Sequence, residues 1–225
     1  MDNPSTLTFL QRMPLFLGMS REELIEVATK IKFDFKTVEP SETVIREGDT
    51  VGRLWMLLKG TLQCTTDADD RSYRFVEEIS APTILQLENT FGVDQHSTRL
   101  YTASTTCNLV ILDKNEILKL ANDSLIFRLN LFNSLSTALQ KSEAGKWKSA
   151  PRNLEERLCW FFIAHCLHPA GHKWVYVKME RLALVVNDSR LNVSRALHRL
   201  QDKGLLLMGR GKIEIPKIEK MRAIS

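Results

Sequence analysis

Residues 182–200 read LALVVNDSRLNVSRALHRL, and the fold of the C-terminal third turns on how they are parsed. Leu182, Ala183 and Val186 recur at helical spacing and mark a short first helix. Asn187-Asp188-Ser189 breaks it. Asn tolerates the left-handed backbone of a tight turn better than most residues with a side chain. Ser189 can then cap a second helix by accepting from an exposed backbone N–H. In that helix Val193, Ala196, Leu197 and Leu200 face inward, while Arg190, Leu191, Ser194, Arg195, His198 and Arg199 lie on or near the opposite face. Helix, tight turn and a second helix with an Arg-rich outer face form the helix–turn–helix arrangement. Its second helix enters the DNA major groove, where Arg can donate two hydrogen bonds to guanine O6 and N7.

The flanks extend the motif. Leu205–Met208 and Ile213-Glu214-Ile215 read as two short strands joined by the basic turn Gly209-Arg210-Gly211-Lys212, a wing. Arg210 and Lys212 at its tip, with Arg199 on the second helix, are expected at phosphates, where they add affinity without reading sequence. Upstream, Arg152 to His165 is an amphipathic helix with Leu154, Leu158, Phe161 and Phe162 on one face. A Pro169-Ala170-Gly171 loop and the short strand Trp174–Val177 follow it.

Charge separates this region from the rest. The 225 residues carry a net +4, but residues 1–147 sum to −4 and residues 148–225 to +8. Such asymmetry points to two domains, the basic one facing a polyanion. With 44% hydrophobic and 26% charged residues, the composition excludes collagen, low-complexity disorder and a disulfide-rich mini-fold. Met1 to Phe16 has no apolar core of a signal peptide, and runs such as 160–164 are too short to span a bilayer, so no membrane role is expected. Cys64, Cys107, Cys159 and Cys166 lack metal or redox spacing and read as small buried hydrophobes in a reducing cytosol, which makes the expected location cytoplasmic.

Ahead of the basic segment, Ser20 and Glu23 have capping-box spacing before a short helix over 21–31. From Phe33 to Leu112, short apolar runs alternate with turn signals such as Glu47-Gly48-Asp49 and Lys59-Gly60, the pattern of a β-sandwich or barrel. Leu118, Leu125, Phe132 and Leu139 then fall seven apart, with Leu135 in a second seam and Arg128 interrupting it. This spacing predicts one long helix that pairs with its copy in a dimer. Ser142 to Pro151 reads as a hinge at the charge boundary.

In these features the chain resembles the Crp/Fnr superfamily of bacterial transcription regulators. The resemblance rests on Leu15-Phe16-Leu17-Gly18-Met19-Ser20, on Glu47-Gly48-Asp49 with Leu54 to Gly60, on the position of 113–141, and on Asp188-Ser189-Arg190-Leu191-Asn192-Val193-Ser194-Arg195. It implies an α+β fold in three parts. A double-stranded β-helix sensor domain (cupin-like jelly roll) spans 1–112, a dimerisation helix and hinge span 113–147, and a winged helix–turn–helix spans 148–225. It implies a homodimer on a near-palindromic operator in double-stranded DNA, with RNA polymerase as a further partner and no enzymatic activity. Arg190 and Arg195 match the family's base-reading arginines, and Ser189 its capping and phosphate-contacting serine. Leu191 stands where many members carry Glu. It can make only apolar contact, for instance with a thymine methyl, so the operator need not match that of Glu-containing members.

The resemblance weakens at the effector site. Cyclic-nucleotide-binding members carry a Gly-Glu pair and, about ten residues on, Arg with Ser or Thr. Here Leu87 takes the Glu position, Ser97 the Arg position and Thr98 the Ser/Thr position, with Glu88 and Arg99 displaced. Glu88, Ser97, Thr98 and Arg99 therefore mark a degraded pocket in which cyclic AMP is not expected, and a different small-molecule effector stays open. No cysteine precedes Cys64, which removes an iron–sulfur signature, and His96 is a lone surface imidazole, not a haem ligand. Two other classes remain to be weighed. In one, a small-molecule module uses its winged domain to dock a protein, which the Arg190/Arg195/Arg199 face argues against. In the other, a cupin enzyme binds a metal, which needs clustered histidines, and only His96 lies in the β region.

Overall fold

The computed structural model describes residues 4–143 and 150–223. The expected hinge falls mostly at 144–149, outside the described residues. The fold is α+β, with an N-terminal antiparallel β-sandwich of jelly-roll type, helices after it, and a C-terminal helix–turn–helix region. The chain divides into two compact units, Met1–Leu62 with Ile79–Lys146, and Gln63–Glu78 with Trp147–Ser225.

In the first unit, α1 (Pro4–Leu10) and α2 (Arg21–Lys30) precede the strands. The capping box forms as its spacing predicts: the Glu23 N–H donates to Ser20 Oγ at 3.2 Å and the Ser20 N–H to Glu23 Oε2 at 2.7 Å. The strands are β1 (Asp34–Val38), β2 (Thr43–Ile45), β3 (Arg53–Lys59), β4 (Thr61–Asp67), β5 (Tyr73–Ser80), β6 (Thr83–Leu85), β7 (Leu100–Ala103) and β8 (Cys107–Asp113), with α3 (Leu87–Phe91) between β6 and β7. One antiparallel sheet runs β1-β8-β3-β6, and β2 pairs with β7 across a bulge. Gly60 makes the β3–β4 turn at φ +96°. A Cβ there would lie 2.6 Å from the Thr106 carbonyl oxygen, so only Gly fits.

Strands β3 and β8 are apolar on both faces. Leu54, Met56, Val110 and Leu112 pack with Leu10, Leu24, Val27, Ile117, Leu120, Phe127 and Leu131 of the helices. Leu57 and its partner Leu109 are buried on the other face. This is why these strands read as continuous hydrophobic runs rather than alternating ones.

The expected single helix over 113–141 is two helices, α4 (Lys114–Asp123) and α5 (Leu125–Glu143). Ser124 is extended, at φ −123° and ψ 115°, and its Oγ accepts from the Phe127 N–H at 3.2 Å. Asn122-Asp123-Ser124 offers the backbone side-chain hydrogen bonds that compete with a continuing helix. The seven-residue spacing from Leu118 to Leu125 thus runs across a break. Leu118, Leu125, Leu129, Phe132 and Leu139 are at least half exposed. Leu135, expected in the dimer seam, instead packs against this unit's own core.

The second unit contains α6 (Leu154–Ala164), β9 (Lys173–Val177), α7 (Met179–Val185), α8 (Arg190–Asp202), β10 (Leu207–Gly209) and β11 (Lys212–Ile215). It also takes in the hairpin 63–78, which the sequence places in the sensor domain. Strand β5 pairs antiparallel with β9, matching Tyr73 with Val177, Phe75 with Val175 and Glu77 with Lys173. Phe75 is buried in one core with Leu158, Phe162, Val175, Leu197 and Ile213. Glu77 and Lys173 form an ion pair at 3.0 Å, both side chains at most 2% exposed. Glu77 also accepts from the Leu167 N–H at 2.8 Å, and Lys173 Nζ donates to the Ala170 carbonyl at 2.9 Å, which satisfies the buried charges. The Tyr73 hydroxyl lies 3.0 Å from His165 Nε2, and the His165 ring stacks on Phe75.

Candidate nucleic-acid interface

The turn between α7 and α8 is built as its residues dictate. Asn187 takes the left-handed conformation at φ +51°, and Ser189 Oγ accepts from the Asn192 N–H at 3.1 Å, capping α8. Asp188, which the sequence places in the helix break and in the signature, fixes this turn. Its Oδ1 accepts from the Ser189 N–H at 2.8 Å and from Asn192 Nδ2 at 2.9 Å, and its Oδ2 from Arg157 of α6 at 2.6 Å. The Asn192 and Ser189 hydrogen bonds, then Arg157, hold the Asp188 carboxyl below the usual range.

Val193, Ala196, Leu197 and Leu200 are buried, which turns the other side of α8 outward. Arg195 is exposed and makes no ion pair among the described residues. Leu191 is 59% exposed. Arg190 pairs with Glu180 at 3.0 Å, both exposed, an arrangement worth little in water and readily exchanged for a phosphate or base.

Arg199, expected at a phosphate, is engaged with Lys203 on the largely buried Glu155 of α6. Glu155 went unnoticed in the sequence because an acid at the start of a helix has an ordinary role there. The Arg199 and then Lys203 hydrogen bonds hold its carboxyl below the ordinary 4.5. A folded pKa below the unfolded one gives stability that is present above about pH 5 and lost as pH falls through the lowered value. Replacing Glu155 with Gln should flatten the acid limb of the unfolding curve, measured as melting temperature between about pH 5 and pH 3. An unchanged limb would show that the bridge contributes nothing.

At the wing, Gly209 pairs with Lys212, Arg210 is exposed at the tip, and Gly211 takes φ +68°. The Lys212 ammonium lies 5.3 Å from the Trp174 ring centroid and 5.8 Å from that of Tyr176. Burial pushes the Cys159 thiol up to about 11 and the Cys166 thiol up to about 12, which keeps both protonated at neutral pH.

In the first unit the degraded cassette closes on itself. Arg99 reaches Glu88 at 3.1 Å. Ser97, 2% exposed, donates to the Arg99 carbonyl at 2.6 Å and accepts from Gln86 Nε2 at 2.8 Å. Thr98 is exposed. The hydroxyl and guanidinium that would meet a cyclic phosphate are thus held by protein partners, so the residues present do not form an open phosphate cradle. His96 is an exposed side chain whose Nδ1 lies 2.9 Å from Asp94 Oδ1.

Comparison with known proteins assigns hairpin 63–78 to the N-terminal domain, unlike the compact units. Residues 35–124 match the family model of the cyclic nucleotide-binding domain, and residues 156–224 that of the Crp-like helix-turn-helix domain. The structure is similar to the catabolite activator protein of Thermus thermophilus, at 18% identity and TM-score 0.50, covering 94% of this chain and 97% of that one. It is also similar to the N-terminal domain of a transcriptional regulator from Streptomyces coelicolor A3(2), at 18% identity and TM-score 0.50, covering 64% of this chain and 99% of that one. At these identities the likeness is one of fold. A comparison with curated proteins gives no match. No helix among the described residues is long and apolar enough to cross a membrane.

Proposed function

We propose that the chain, which matches the cyclic nucleotide-binding domain over 35–124 and the Crp-like helix-turn-helix domain over 156–224, is a transcription regulator of the Crp/Fnr superfamily and not an enzyme, and that it works as a homodimer reading a near-palindromic operator through α8. The two recognition helices would enter successive major grooves about 34 Å apart. Arg195, Arg190 and Leu191 would read bases, with Ser189, Arg210 and Lys212 at phosphates and RNA polymerase as a further partner. The observation that carries the reading is Arg195, exposed and without an ion pair among the described residues, on a helix whose start is fixed by the Asp188–Ser189 turn. The test is retention of duplexes from a random-sequence pool, with log affinity falling linearly in log salt. Absence of salt-sensitive retention on every duplex overturns it. A stable protein complex indifferent to DNA competitor would instead favour a protein-docking winged domain.

Leu125, Leu129, Phe132 and Leu139, exposed at helical spacing on α5, support the dimer, since exposed apolar faces mark interaction surfaces. Phe132→Glu should raise the dimer dissociation constant by about 30-fold or more, the ~2 kcal/mol of an interface hot spot. Sedimentation equilibrium reads the change, and an unaltered mass would remove this face from the interface.

A further inference from the structure

Hairpin 63–78 is the one segment of the second unit that comes from far upstream in the chain, and its charge is opposite to its surroundings. It sums to −3, against +8 for residues 148–225. Its arms are held by the β5–β9 ladder, by the Phe75 burial and by the Glu77–Lys173 pair. Of its five acids, Glu78 is exposed at the end of β5, and the other four divide into two sets. Glu77 is consumed inside. Asp67, Asp69 and Asp70 lie at the tip, where Asp69 and Asp70 are exposed. Asp67 is bridged by Arg74 Nη2 at 2.8 Å and Arg71 Nη1 at 2.6 Å, so the hairpin's own arginines are spent on one of its own acids.

The tip stands beside groups placed to meet a DNA backbone. A groove of about 550 Å³ is lined by Asp67, Arg71 and Ser72 of the hairpin together with Lys178 at the start of α7 and Gly211 in the wing turn. Asp70 accepts from the Ser72 N–H at 3.0 Å. Ser72 first, and Arg181 of α7 in addition, hold the Asp70 carboxyl below its usual range, so it stays charged at neutral pH. In a helix–turn–helix the first helix crosses the phosphate backbone and the wing contacts phosphates. An exposed acid that interacts with Arg181 of that first helix opposes the polyanion the helix serves.

We propose that hairpin 63–78 is an autoinhibitory strap: docked on β9, it sets Asp69 and Asp70 against the approaching phosphates, and its release from the sheet raises DNA affinity. Its two arms are β4 and β5, and the chain passes at Leu62 and Ile79 directly into the first unit. The inference rests on the DNA-binding reading above.

A reversible lock tests it. Arg74 and Tyr176 are direct cross-strand partners on the outer face of the β5–β9 ladder. Directly opposed antiparallel residues have Cα atoms about 4.5–5.5 Å apart, within disulfide range. In the full chain, Arg74→Cys with Tyr176→Cys should bind a duplex selected from a random pool about 10-fold more weakly when oxidised than when reduced. Asp69→Asn with Asp70→Asn, both exposed and harmless to the core, should tighten binding of the otherwise unaltered chain by about 10-fold at low salt, an effect that shrinks as salt rises. Equal affinity of the oxidised and reduced forms, tighter binding when oxidised, or no gain from the Asn pair overturns the strap. No retention of DNA in any form overturns the DNA reading itself and the strap with it.

Discussion

Arg195→Ala reduces discrimination between the selected operator and a scrambled duplex by about 5- to 150-fold, the 1–3 kcal/mol of a bidentate base contact. Competition binding at fixed salt measures it. The size of the effect follows from where the side chain stands. Arg195 projects from α8 opposite the buried Val193, Ala196 and Leu197, and nothing in its own unit neutralises it among the described residues. Arg210 at the wing tip is the control. Its replacement by Ala should weaken binding about equally on all sequences and reduce the salt slope by about 1. If Arg195→Ala behaves like Arg210→Ala, Arg195 contacts phosphate and base reading must be sought at Arg190 and Leu191.

Lys173→Met destabilises the chain by about 3–5 kcal/mol, because it leaves the Glu77 carboxylate buried without its partner. Urea denaturation followed by fluorescence reads it, with Trp174 next to the site in sequence. Adding Glu77→Gln should restore much of the loss, since the amide oxygen can still accept from the Leu167 N–H while the buried charge is gone. A loss under about 1 kcal/mol for Lys173→Met would mean that water reaches the pair and that it does not anchor the hairpin.

The parts of this molecule that follow from neighbours in sequence were legible in it. The Asn187 turn, the Ser189 cap, the Ser20–Glu23 box and the wing each depend on a few adjacent residues, and each forms as their chemistry requires. The break at Ser124 was equally local, but a seven-residue leucine spacing ran across it and masked the Asn122-Asp123-Ser124 signal. The hairpin's membership in the second unit depends on strand pairing over about a hundred residues, which no local pattern encodes. One trace of it was present: Glu77 sits in the alternation Tyr73, Phe75, Glu77, Ile79, an acid in a row of inward positions. Charge arithmetic marked the basic unit but counts paired and unpaired cations alike. Lys173, Arg157, Arg199 and Lys203 all count toward +8, and all are engaged with Glu77, Asp188 or Glu155 inside the unit.

The β5–β9 ladder also limits how far the protein is modular. A fragment begun at residue 148 keeps every element of the helix–turn–helix, yet it loses Phe75 from its core and bares the β9 edge along five residues. An uncovered apolar strand edge recruits a strand from another chain. Fusions that borrow this reader for a foreign sensor should therefore carry residues 63–78 as well, spliced to cover β9. Without them the transplanted domain is a template for its own aggregation.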